Sequence, residues 1–144
     1  MLHGTDRSNY RDFFFKLWKK MQTQEKLEPL EQIAAALIEQ HPEYHDALLN
    51  MENDQPQEFP SNNLYENPFM HLGMHMGLIE QLQLDRPTGI RAVYMKLMQG
   101  DATDEHQLQH QIMDIMGQQM WDAMHRGVDF DETKYLEALG KLAR

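Results

Sequence analysis

Apolar residues recur at intervals of three and four along nearly the whole 144-residue chain, with few β-branched clusters and no alternating runs. That period is the helical one, so the chain is expected to be all-α, a bundle of about six helices around a four-helix core. The length suits one domain with its own hydrophobic core, taken as residues 1–144. A first helix is expected from Ser8 to Lys26, burying Phe13, Phe14, Leu17, Trp18 and Met21. A second opens at Glu28-Pro29 on the stripe Leu30, Ile33, Ala34, Leu37 and Ile38. Pro42 interrupts it, and a short helix through Glu43 to Asn50 follows. Residues 51–66 are polar and carry Pro56 and Pro60, which makes them the one long loop, of the kind that often covers a site.

Asn67-Pro68 supplies a cap and a first-turn proline for a third helix, to Leu84, apolar nearly all round. Asp85-Arg86-Pro87 breaks the chain before a helix over Gly89 to Gln99. The longest helix is expected from Thr103 to Arg126 with Gly127 terminating it, and Asp131 caps the last, through Leu142.

Charge and composition exclude several functions. Asp and Glu number 23 against 13 Lys and Arg, a formal net charge of -10, the wrong sign for nucleic acid or anionic lipid. Neither a signal peptide nor a membrane span is visible, so a cytoplasmic location is expected. With no cysteine, disulfides, iron-sulfur clusters and thiol chemistry are excluded, and any metal must be held by His and carboxylates.

Six of the eight His form three pairs at a spacing of four: His41 with His45, His71 with His75, and His106 with His110. Random placement gives about 0.4 such pairs, so the excess is itself a signal. This spacing sets two imidazoles on one helix face, about 5 to 6 Å apart at Cβ, which suits ligands to one ion or to adjacent ions. With His106 at zero and 100° per residue, His110 falls at about 40°, Met113 at about -20° and Met124 at about zero, so the pair continues an apolar line. His71 and His75 share a face with Leu78 and Leu82, and His41 follows Leu30, Ala34 and Leu37. The pairs are therefore expected to converge inside the bundle, where neutral imidazole is the commonest metal ligand.

Asp114, four after His110, is the first carboxylate candidate, and Pro42 leaves the direction of His45 open. Asp104 and Glu105 read as N-terminal charges complementing a helix dipole. Met70, Met74 and Met76 interleave with His71 and His75, a pattern that suits Cu(I), but Met at helical spacing is usually core filler. Gly73 and Gly77 are expected to permit close helix contact.

Phe13-Phe14-Phe15, Trp18, His41-Pro42-Glu43-Tyr44-His45, Asn67-Pro68-Phe69, His71 with His75, Asp85-Arg86-Pro87, Gly89-Ile90-Arg91, Glu105-His106, His110 and Trp121 together resemble a bacterial family catalogued as domain of unknown function 1841. The resemblance implies membership and leaves activity open. A looser, architectural similarity is to hemerythrin-like bundles, which hold metals between His and carboxylate pairs. The third His pair here stands where such bundles use carboxylate, so zinc and iron are both candidates.

The leading expectation is a metal-binding protein holding one or two divalent ions through His41, His45, His71, His75, His106 and His110, with Asp114. As a metal-dependent enzyme it would need an open coordination position, since no Ser, Thr or Lys is placed as a nucleophile. As a structural or sensory site, the ion would be closed off by protein ligands. The alternative without metal is an interaction module whose buried His cluster is satisfied by hydrogen bonds. Substrate, catalytic residues, protein partners and oligomeric state have no handle in the sequence.

Overall fold

The structure, a computed structural model, describes residues 7–52, 67–100 and 104–143. Among these it contains seven α-helices, two short 3-10 turns and no strand. The chain is all-α, as its period predicts. The loop expected over residues 51–66 lies almost entirely outside the described residues. The described residues gather into two compact units, Met1–Met76 and Gly77–Arg144.

In the first unit, α1 (Arg7–Gln22) packs against α2 (Pro29–Gln40) and α3 (His45–Glu52), and the unit also takes the first half of α4 (Pro68–Leu84). Phe14 and Leu17 of α1 are fully buried against Ala34, Leu37 and Ile38 of α2, Leu48 of α3, and Phe69, Leu72 and Met76 of α4. Burying a side chain of that size stabilises the fold by about 1.5–3 kcal/mol. Helix α1 stops four residues before the expected Lys26. The Thr23 hydroxyl donates back to the Lys19 carbonyl, and Gln24 takes a left-handed conformation with φ 55°, which ends the helical path. At the start of α2, the Glu28 N–H donates to the Glu31 carboxylate at 2.8 Å while Lys20 holds the same carboxylate from α1.

Pro42 does more than interrupt α2. It opens a 3-10 turn over Pro42–Tyr44, and the short helix expected from Glu43 to Asn50 forms as α3 from His45 to Glu52. Every residue from Asn67 to Leu82 is buried or half-buried, the all-round apolar helix that the sequence suggests. Gly77 departs from expectation: a Cβ added there would meet nothing within 4 Å among the described residues, so it marks no close approach.

In the second unit, α7 (Glu132–Gly140) packs against α5 (Ile90–Met98) and α6 (Glu105–Arg126). Tyr135, fully buried, donates its hydroxyl to Gln81 Oε1 at 2.9 Å. Burial pushes its phenol well above the ordinary range. Asp104 and Asp131 cap α6 and α7, accepting the N–H groups of Gln107 and Lys134. Gly127, with φ 64°, closes α6 in the left-handed cap that only glycine enters freely.

The buried face of α6 is formed by Leu108, Gln109, Ile112, Met113, Met116 and Ala123. His106 and His110 sit roughly a quarter and somewhat more than a third of a turn round from the centre of that face, at its border. The line continued from them turns outward, with Met120 and Met124 exposed. Met76, Met113 and Met116 are buried in the core, while Met70 and Met74 are half-buried. Among the described residues no helix is long and apolar enough to cross a membrane.

Candidate metal centre

Two local stops bring three imidazoles together. At the end of α2 the last carbonyls lack intrahelical partners. His41 answers one of them: its Nδ1 lies 2.7 Å from the Leu37 carbonyl. A carbonyl only accepts, so Nδ1 carries the proton and, in the neutral ring, Nε2 presents a lone pair. At the start of α4, Asn67 Oδ1 accepts the N–H groups of Phe69 and Met70, each at 3.1 Å, which starts the helix so that His71 and His75 fall one turn apart.

The three rings converge in the first unit. His41 and His71 have centroids 4.9 Å apart at 68°, His41 and His75 5.3 Å apart at 81°, and His71 and His75 5.9 Å apart at 72°. The Nε2 atoms of His41 and His71 are 3.2 Å apart, and a ring nitrogen of each of the three lies within 4.8 Å of the others. All three are buried, at 2%, 4% and 0% exposure. Two nitrogens each about 2.05 Å from a tetrahedral ion stand about 3.3 Å apart, so the His41–His71 separation is that of two ligands to one ion.

Tyr44 flanks the cluster and was not singled out among the candidate ligands. Its ring stacks on His41 at 5.4 Å and 4°, and meets His71 edge-on at 5.5 Å. The 3-10 turn places residues three apart on one line, so the spacing from His41 to Tyr44 is the signal that finds it. Burial, with Glu43 beside it, pushes the phenol up to about 12.

Of the remaining candidates, His45 belongs to the first unit and His106, His110 and Asp114 to the second. His45 Nε2 is 2.9 Å from the Ile38 carbonyl and therefore donates to it, while its ring rests against Trp18 at 5.4 Å. It satisfies the end of α2 instead of pointing with His41. In the second unit, His106 and His110 form a tilted pair with centroids 4.2 Å apart, both half-buried, and Asp114 one turn on is exposed. Glu105 accepts the Tyr94 hydroxyl at 2.7 Å, and Gln109 donates to that same hydroxyl at 3.1 Å. Burial is the larger cause that pushes Tyr94 up to about 12.

No curated protein and no solved structure matches the chain at a significant level. A family model described as a domain of unknown function (DUF1841) matches residues 6–141, nearly the whole length, and the chain belongs to that family.

Proposed function

We propose that this protein binds one divalent ion, zinc or iron, through His41, His71 and His75, with His110 as the fourth ligand. The observation that carries this reading is the 3.2 Å approach of two buried Nε2 atoms, with the proton of His41 held on its other nitrogen by a backbone carbonyl. Such a partner orients a ligating imidazole and fixes its tautomer. His110 is included because a tetrahedral ion needs a fourth donor, and His110 is the more C-terminal member of a pair spaced for ligation. His106 and Asp114, on the turns either side of His110, are proposed as its flanking groups, and His45 as a support for the end of α2.

The 3.2 Å distance also suits one N–H···N hydrogen bond between neutral imidazoles, which favours the metal-free interaction module as second reading. Elemental analysis of untagged protein purified without a metal column separates the two. About one equivalent of zinc or iron, lost when His106 and His110 are both replaced by Ala, is the expected result. Metal-free protein that stays so after either ion is offered would overturn the proposal.

A further inference from the structure

A hydrogen bond at one ring nitrogen fixes a point of an imidazole and leaves its plane free to tip about that point. For His41 the point is Nδ1, 2.7 Å from the Leu37 carbonyl. A ligand lone pair has to aim at its ion, so the direction of Nε2 depends on the plane as well as on that point. Tyr44 holds the plane. Its ring lies against His41 at 4° with centroids 5.4 Å apart, the offset-stacked arrangement that aromatic pairs favour, and it meets His71 edge-on at 64° and 5.5 Å. One side chain thus touches both of the imidazoles whose Nε2 atoms stand 3.2 Å apart.

The backbone holds Tyr44 in this place. Pro42 opens the turn with its φ fixed by the ring, the Tyr44 N–H donates to the His41 carbonyl at 3.0 Å, and a 3-10 turn sets residues three apart on one line. Resting on the metal reading above, we infer that Tyr44 is a positioning residue of the metal site, its ring setting the angle at which His41 meets the ion beside His71. The plane of the ring carries this role and the hydroxyl does not, because both contacts are made by the ring. Losing an outer partner of a metal-bound imidazole weakens affinity by about 10- to 100-fold. A stacking contact is weaker than a hydrogen bond to a carboxylate, which sets the expected loss at the lower end.

The test titrates the full chain with zinc against a chromophoric chelator, in the parent and in the Tyr44→Phe and Tyr44→Leu variants. Iron(II) replaces zinc as the probe if the parent retains only iron, and Tyr44→Met replaces the Leu variant if that one does not fold. The expected result is one equivalent of metal in all three chains, with the Phe variant equal to the parent and the Leu variant about tenfold weaker. The melting temperature of the Leu variant should also fall further below the parent's with metal than without it. Metal held by the Leu variant as tightly as by the parent, with an equal drop in melting temperature in both conditions, would assign Tyr44 to the fold alone and overturn the inference while leaving the metal reading standing. A Phe variant as weak as the Leu variant would overturn it too, since the hydroxyl would then be the group at work. A parent chain that retains neither zinc nor iron(II), read directly by metal analysis, would remove the metal reading and this inference with it.

Discussion

At the scale of single residues, the sharpest contrast is between His41 and His45, members of one pair at a spacing of four. Both rings give a proton to a carbonyl of the last turn of α2, His41 to Leu37 through Nδ1 and His45 to Ile38 through Nε2. The choice of nitrogen decides their roles, because it leaves the His41 Nε2 lone pair facing His71 while the Nε2 of His45 is already engaged. Replacing His41 with Ala is therefore expected to abolish metal retention, whereas His45→Ala should keep the metal and lose about 1 kcal/mol of stability with its hydrogen bond. Elemental analysis beside urea unfolding checks both, and equal metal loss in the two variants would contradict the assignment. The spacing of His71 and His75 was legible in the sequence because an uninterrupted helix carries phase faithfully. The divergence of His45 was not, because Pro42 inserts a 3-10 turn and resets the phase.

At the scale of elements, capping explains more of the sequence than the apolar period does. Asn67 sets the start of α4, and with it the rotation at which His71 and His75 emerge. Asn67→Ala is expected to cost about 1–2 kcal/mol, toward the upper end of cap substitutions because the side chain is only 4% exposed, and chemical denaturation reads it directly.

The Asp85-to-Arg91 stretch is a reciprocal clamp between helices α4 and α5. Asp85 accepts the N–H groups of Gly89 and Arg91 ahead of α5, and the Arg91 guanidinium donates back to the Leu82 and Gln83 carbonyls at the end of α4. The chain break read from Asp85-Arg86-Pro87 is thus a hydrogen-bonded corner. The Arg91 N–H, with the Gly89 N–H and the nearby guanidinium, holds the Asp85 carboxyl below its usual range. A depressed carboxyl contributes stability above its unfolded pKa and loses it as pH falls through the folded one. Asp85→Asn should therefore be less stable than the parent at pH 7, with the difference shrinking below about pH 4. Urea unfolding across that range checks it, and a difference that is constant with pH would remove the carboxylate's charge from the explanation. The helices themselves were legible from periodicity and caps. The rotation of α6 was not, because Met113 lies on the His line and Met116 on the neighbouring line of Leu108 and Ile112, and only packing shows that the buried face is centred on the second.

At the scale of the whole molecule, the chain must hold a buried cluster of polar rings within a fold whose acidic excess repels itself. An ion that binds the folded chain and not the unfolded one adds stability according to its free concentration over its dissociation constant. At a hundredfold excess this is about 2.7 kcal/mol, which for a chain of this size corresponds to a melting shift of about 5–10 °C. Chelation is expected to lower the melting temperature by that amount and zinc or iron to restore it. Each tenfold rise in free metal should add about 1.4 kcal/mol, a logarithmic dependence that general effects of the chelator do not produce. Hydrogen exchange sharpens the test, since loss of the ion should open the end of α2 and the start of α4, where His41, His71 and His75 stand, more than it opens α7. A melting temperature insensitive to chelation, with unchanged exchange in those two segments, would mean that hydrogen bonding and ring packing among the histidines suffice to stabilise the cluster.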